Sequence, residues 1–284
     1  MVSAPARREQ VAYASGRGLS QRRACALLRT ARSAVRYQAS KPRKDAAAVE
    51  KMRELARQYP RYGYRRIRIF LGRDGHPMGI ERAHRLWRSA QLQVPRKRPR
   101  RRAAARPLPT PATSAYRVWA YDFVFDACAN GQQLKCLTVI DEYTREALAI
   151  DVAGSIRSAR VIEVLTHLVS LHGAPHALKS DNGPEFVSRA ILRWLTAAGI
   201  HCVLSDPGKP WQNGTDESFN GKLRDACLSM EWFRNRQEAA AVIETWRQHY
   251  NEVRPHSSLD YLTPIEFKTR NVTPTPQPAE AISH

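Results

Sequence analysis

The chain has 284 residues, 43% of them hydrophobic, and 46 Lys and Arg against 26 Asp and Glu, a formal net charge of +20. That length is enough for one large domain or two modest ones with a buried core. No apolar run reaches the roughly 18 residues of a membrane span, and no apolar segment follows the charged first ten residues, so neither a spanning helix nor a secretory signal is expected. Cys25, Cys128, Cys136, Cys202 and Cys227 are odd in number and scattered, which predicts reduced, mostly buried thiols rather than a disulfide frame or a zinc site.

The charge is unevenly placed. Residues 1–114 carry 29 Lys and Arg against 6 Asp and Glu, a net +23, whereas residues 115–284 carry 17 against 20, a net −3. A split this large marks two functional units, and the basic one calls for a polyanion, most simply nucleic acid. An anionic membrane would instead need an apolar helix face with Trp or Phe anchors, which this segment lacks.

In chain order, Arg7 to Ser15 has a helical composition and Gly16-Arg17-Gly18 ends it. Ser20 is a good N-cap for a helix over Gln21 to Leu28, and Ser33 to Gln38 follows after a short turn. Helix, tight turn and helix with Arg22, Arg23, Arg29, Arg32 and Arg36 predict a helix-turn-helix over residues 1–40. A second helical set over residues 41–92 comprises Asp45 to Gln58, Tyr64 to Arg73 and Ile80 to Ala90. Ile67, Phe70 and Leu71 lie at core spacing, with Arg65, Arg66 and Arg68 pointing elsewhere. Residues 93–114 join prolines to Arg96, Lys97, Arg98, Arg100, Arg101 and Arg102, so they cannot bury a core and read as an extended, phosphate-tracking strap.

From residue 115 the pattern becomes α/β. Tyr116 to Phe125, Lys135 to Asp141 and Ala147 to Val152 are predicted strands, the first two joined by an Ala129-Asn130-Gly131 turn. Ser158 to His172 forms an amphipathic helix with Val161, Val164, Leu165 and Leu168 on one face. Ala177 to Ser180 and His201 to Leu204 are short strands; Ser188 to Ala198, Gly214 to Leu228 and Arg236 to Tyr250 are helices. This order predicts a mixed sheet flanked by helices. From Pro255 the chain turns polar and proline-rich, and residues 271–284 read as a flexible tail.

Three acids stand out. Asp122 interrupts the aromatic strand Trp119-Ala120-Tyr121-Asp122-Phe123, where a carboxylate must be paired, metal-bound or at an edge. Asp181 follows a strand and opens the turn Asn182-Gly183-Pro184. Glu217 lies near the start of a helix. Carboxylates without His or Cys ligands suit Mg²⁺ or Mn²⁺ rather than zinc. Taken singly, Asp181 also reads as a turn residue and Glu217 as a charge suited to a first helical turn.

The stretches Trp119–Phe123, Ser180-Asp181-Asn182-Gly183-Pro184-Glu185-Phe186 and Gln212-Asn213-Gly214-Thr215-Asp216-Glu217-Ser218-Phe219-Asn220-Gly221 resemble the DDE motifs of insertion-sequence transposases and retroviral integrases. Thirty-five residues separate Asp181 from Glu217, the spacing of that superfamily. The likeness continues through Trp246-Arg247, Tyr250-Asn251, Arg254-Pro255-His256-Ser257-Ser258-Leu259 and Thr263-Pro264. Upstream it takes in Arg61-Tyr62-Gly63-Tyr64-Arg65-Arg66-Ile67. It fits best the second-frame (OrfB) product of two-frame insertion sequences.

The resemblance implies an RNase H-like integrase core over residues 115–270, preceded by a small all-helical DNA-binding region. It implies two Mg²⁺ ions, replaceable by Mn²⁺, held by Asp122, Asp181 and Glu217. It also implies a basic residue meeting DNA at Arg224, with Lys222 beside it on another face. As partners it implies element-end and target DNA, further copies of the chain, and a first-frame (OrfA) protein, in a bacterial cytoplasm at the nucleoid. Ala226 departs from the family, which carries an acid there. Asp126, Asp141, Glu142 and Asp206 read as surface or turn groups, and Asn251 and His256 as residues that fix the fold or contact DNA. The rival reading is a transposon-derived regulator with a non-catalytic core.

Overall fold

The computed structural model describes residues 3–37, 41–95, 112–181, 188–204 and 214–271. The chain divides into two compact units, one of Met1–Gln58 with Phe70–Gln93 and one of Tyr59–Ile69 with Val94–His284. The basic strap residues Arg96, Lys97, Arg98, Arg100, Arg101 and Arg102 lie outside the described residues, as do Asn182 to Glu185, Asp206 and residues 272–284.

The first unit is helical. Helices α1 (Ala4–Gly16), α2 (Gln21–Leu27) and α3 (Arg32–Arg36) pack Val11, Ala24 and Cys25 against Ala14, Leu28 and Val35. The Ser20 side chain accepts the Arg23 backbone N–H and so starts α2 where the N-cap signal predicts. Helix α4 (Lys41–Gln58) begins four residues before the expected Asp45. Asp45 faces α6 (Ile80–Ser89) and accepts from both Arg82 and Arg85, at 2.7 and 3.0 Å. Helix α5 (Tyr64–Arg73) passes from the second unit into the first, and Ile67, Phe70 and Leu71 are buried as their spacing predicts.

The second unit holds a five-stranded sheet in the order β3-β2-β1-β4-β5. Strands β1 (Val118–Ala127), β2 (Gln133–Asp141) and β3 (Ala147–Ala153) form an antiparallel meander, and β4 (Ala177–Ser180) and β5 (His201–Leu204) run parallel to β1. Parallel strands need crossover helices, and α7 (Ser158–His172) and α8 (Arg189–Ala197) supply them. Side chains alternate along β1, so Trp119, Tyr121 and Phe123 face one way. They share a core with Val161, Leu165, Leu168, Ile191 and Leu195 of α7 and α8. Val124 faces the other way, into a core with Phe219 and Leu223 of α9 (Gly214–Leu223) and with Ile243 and Tyr250 of α10 (Arg236–Glu252). A sheet covered on both faces explains why β1 reads as a nearly unbroken apolar run. This is the RNase H-like mixed sheet that the resemblance implies.

The structure corrects one expectation and extends another. The predicted helix Gly214–Leu228 changes to a π-helical turn at Arg224–Leu228. The polar, proline-rich stretch after Pro255, for which the sequence reading named no element, holds a 3₁₀ turn at Ser257–Leu259 and α11 at Pro264–Asn271. The Thr263 hydroxyl accepts the Glu266 N–H while the Glu266 carboxylate accepts the Thr263 N–H, a reciprocal capping box with proline at the first helical position. Lys268 then ties α11 to the β2–β3 hairpin through Glu146, at 3.0 Å.

Candidate active site

Strand β1 sits at the centre of the sheet, with Asp122 opposite Thr138 of β2. Its partner on the other side is β4, where Ala120 stands beside Lys179. Two residues further along each chain come Asp122 and Asp181. Period-two alternation puts Ala120, Asp122, Lys179 and Asp181 on the α9 face. The two aspartates feel one another: burial first, and then the Asp181 charge among the opposed contributions, pushes the Asp122 carboxyl above its ordinary range.

Asp122 is not left alone on that face. Its carboxylate accepts the Phe123 backbone N–H at 2.7 Å and the Asn220 side-chain amide at 2.7 Å. The Thr138 hydroxyl donates to the Asn220 amide oxygen at 3.2 Å, which orients the amide. The sequence motifs do not single out Asn220, although it lies one turn after Glu217 and one turn before Arg224.

Helix α9 is positioned by its apolar residues and by its first turn. Phe219 packs edge-to-face on Tyr250, centroids 4.9 Å apart, and on Trp246 at 5.8 Å. Arg145, at the β2–β3 turn, donates to the Thr215 hydroxyl. The family motif residues further on serve this same packing. Asn251 bonds both the N–H and the carbonyl of Ala147. The buried His256 ring packs edge-on against Tyr250 and bonds its carbonyl at 3.1 Å. Both fix the fold.

The rotation of α9 separates its two acids. Glu217 is exposed and makes no hydrogen bond or ion pair among the described residues. Asp216, about 100° round the helix, is only 1% exposed, and both its carboxylate oxygens are shielded without a hydrogen-bond partner among the described residues. Burial, then the charges of Asp122 and Glu142, raises its carboxyl well above the ordinary value. Two of the other acids have their own partners. Asp141 is buried, not at the surface, and accepts the N–H groups of Tyr116 and Thr144 and the Thr144 hydroxyl. Glu142 pairs with Lys179 at 2.7 Å.

Among the described residues, no three His, Cys, Asp or Glu side chains are gathered closely enough to hold a metal ion. The chemistry of the donor set still fits a hard cation: Asp122, Asp181 and Glu217 are all carboxylates, the oxygen ligands that Mg²⁺ and Mn²⁺ take.

The cations form two groups. Arg22, Arg23, Arg32 and Arg36 are exposed on α2 and α3, and Arg65 is exposed on α5. In the second unit Arg66, Arg145, Lys222 and Arg254 crowd together. Burial, then the charges of Arg254, Arg145 and Arg66, brings the Lys222 ammonium down to about 8. Arg66 donates to the Pro255 carbonyl at 3.1 Å, and Arg254 lies over the Tyr62 ring at 5.2 Å. Arg224 is exposed, donates to the Phe125 carbonyl, and acts electrostatically on Asp122.

All five cysteines are free thiols, four of them buried. No helix among the described residues is long and apolar enough to cross a membrane.

Comparison with known proteins matches integrase core domain models to residues 112–210 and 198–264, and an HTH-like domain model to residues 42–100. A 31.7 kDa protein of insertion element IS407 from Burkholderia multivorans is 41% identical over 92% of this chain and 95% of its own length. The putative transposase InsK for IS150 from Escherichia coli K12 is 28% identical, covering 83% of this chain and 87% of its own. The HTLV-2 integrase catalytic core domain, solved in complex with magnesium in a trimeric form, covers 55% of this chain and 98% of its own at 15% identity, with a TM-score of 0.44. With two integrase core matches within its second unit and 41% identity along almost its whole length, the chain belongs to the integrase-core family of insertion-element proteins and is a DDE-type transposase of the second-frame (OrfB) class.

Proposed function

We propose that the chain cleaves the ends of its own insertion element and joins them to target DNA at a site built on Asp122, Asp181 and Glu217. The observation that carries this is the meeting of three elements at Asp122. The central strand β1 presents it, Asp181 follows the neighbouring β4, and α9 holds its carboxylate through Asn220. Asp122, Asp181 and Glu217 would hold two divalent ions there, and their charge would stabilise the attacking and leaving oxygens of a displacement at phosphorus. The protein's own part is orientation: Asn220 and the Phe123 N–H fix the Asp122 carboxylate, and Arg224 stands beside it to meet a phosphate.

Residues 1–40 and 41–92 would read and grip the element end, with Arg22, Arg23, Arg32, Arg36 and Arg65 outward and residues 93–114 tracking phosphates. Lys222 and Arg66, in the cationic cluster near α9, would hold DNA close to the carboxylates. Assembly as a homo-oligomer on paired element ends, with or fused to an OrfA product, and action at the nucleoid of a bacterial cytoplasm rest on the family resemblance.

The test uses purified protein, labelled element-end DNA and Mg²⁺, with Asp181→Asn in parallel. Nicking and joining by wild type, lost in a variant that still binds DNA, is the expected result. Equal products from both would overturn the assignment.

A further inference from the structure

We propose that Arg82 reads a guanine in the major groove of the element end, and that Asp45 is the positioning residue that aims its guanidinium. This rests on the reading of residues 41–92 as a segment that grips the element end, and it adds which side chain meets a base and by which edge.

Helix α6 is the second helix of a helix-turn-helix. Helix α5 ends at Arg73, Gly75 turns the chain with a φ of +81°, and α6 starts at Ile80. Ala83, Leu86 and Trp87 bury one stripe of α6, whereas Arg82, Arg85 and Arg88, three residues apart, stay exposed. In such motifs the N-terminal residues of the second helix are the ones that contact base edges. Arg82 is the third residue of α6, in its first turn.

Asp45 holds that side chain by one edge. Arg82 donates from Nε at 3.1 Å and from Nη2 at 2.7 Å to the same Asp45 oxygen, and Arg85 donates from Nη2 to the other oxygen at 3.0 Å. Nε and Nη2 form one side of the planar guanidinium. The end edge, Nη1 with the second hydrogen of Nη2, is left over, and Nη1 makes no hydrogen bond among the described residues. Two parallel donors on one edge are what guanine O6 and N7 accept. Exposure divides the same way: the Asp45 side chain is 8% exposed, those of Arg82 and Arg85 43% and 55%. A staple between α4 and α6 needs one buried arginine; here a buried carboxylate uses both oxygens to hold two that stay exposed. A phosphate would be repelled by the carboxylate behind Arg82, whereas an uncharged base edge is recognised by the direction of the donors.

The experiment measures, by fluorescence anisotropy, the affinity of the full chain for three probes: a labelled element-end duplex, the same duplex with 7-deazaguanine at each guanine in turn, and a random-sequence duplex. Wild type, Arg82→Lys and Asp45→Asn are compared, with circular-dichroism melts to show that each is folded. Arg82→Lys keeps the charge and loses the fork, so its affinity for the element end should fall about 5- to 150-fold, the worth of one bidentate base contact. Its affinity for the random duplex should stay within twofold. Wild type should weaken at one 7-deazaguanine position to which Arg82→Lys is indifferent. Asp45→Asn should lose at least threefold on the element end and nothing on the random duplex, a pattern that loosened packing alone does not give. A loss below fivefold in Arg82→Lys, or an equal loss on both duplexes, overturns the base-reading role. A loss below threefold in Asp45→Asn overturns the positioning role. Wild type binding both duplexes equally would instead overturn the reading of residues 41–92 beneath it.

Discussion

The Asn220 side-chain amide lies 2.7 Å from the Asp122 carboxylate, across 98 residues of sequence, and its other end accepts from Thr138 at 3.2 Å. One amide therefore fixes the orientation of the central acid relative to both the neighbouring strand and α9. Groups that orient a metal ligand from behind commonly contribute about 10–100-fold to affinity or activity. Asn220→Ala should lower Mg²⁺-dependent nicking by that order while DNA affinity holds. A gel assay of nicking across a Mg²⁺ series, beside binding of the same DNA, checks it; nicking equal to wild type would remove Asn220 from the site.

The exposed arginines of α2 and α3 are expected to contribute affinity by neutralising phosphates. Replacing Arg22, Arg23, Arg32 and Arg36 by Gln should flatten the dependence of log affinity on log salt by about 0.9 for each phosphate no longer neutralised. Fluorescence anisotropy at several salt concentrations measures the slope. A slope equal to that of wild type would mean that these residues do not touch the duplex.

Lys222 sits in a crowded, half-buried cationic cluster, with its ammonium brought to about 8 by burial and then by Arg254, Arg145 and Arg66. A lysine depressed in the fold is charged at a cost below pH 8, and that cost is relieved as the pH rises through 8. A DNA phosphate would favour the charged form, so binding takes up a proton, and affinity should fall between pH 7 and pH 9.5. One proton allows at most about a tenfold fall per pH unit. Lys222→Arg should hold its affinity across this range; an equally steep fall in Lys222→Gln would place the titrating group elsewhere.

His256 is buried at 3% exposure, and burial is the main cause that brings its imidazole down to about 3. The ring bonds the Tyr250 carbonyl through Nε2 and packs edge-on against the Tyr250 ring. A histidine depressed in the folded state stays neutral while the unfolded chain takes up a proton below about pH 6.5. Stability should therefore fall with pH between about 6.5 and 3, by up to about 1.4 kcal/mol per pH unit from this residue. His256→Gln, which can still donate to the carbonyl, should show a shallower acid loss in urea titrations at pH 7, 6 and 5. An identical pH slope in wild type and variant would contradict it.

Phe219 is the apolar anchor of α9, 1% exposed between Tyr250 and Trp246. Phe219→Ala should cost about 3–5 kcal/mol of stability, the usual range for a buried phenylalanine. Phe219→Leu should cost less and still lower nicking, because α9 carries Asp216, Glu217 and Asn220 together. Urea unfolding with a nicking assay separates the two effects.

Much of this was legible in local sequence. The charge split, the β1 aromatic run broken by Asp122, the Ser20 cap and the α7 face all rest on periodicity and capping, which act over a few residues. The Thr263-Pro264-Ile265-Glu266 box was present too, although the polar and proline content around it hid the short helix it starts. Other features depend on long-range pairing. Only the strand order β3-β2-β1-β4-β5 sets Asp122 beside Asp181 and Thr138. Only the packing of Phe219 and Leu223 decides that Asp216, rather than Glu217, turns inward. By itself the sequence determined the kinds of element, the basic half and the acids that could meet. The tertiary structure decided which acids are buried together and what holds them, because helix rotation and strand neighbours are set by core burial summed over the whole unit.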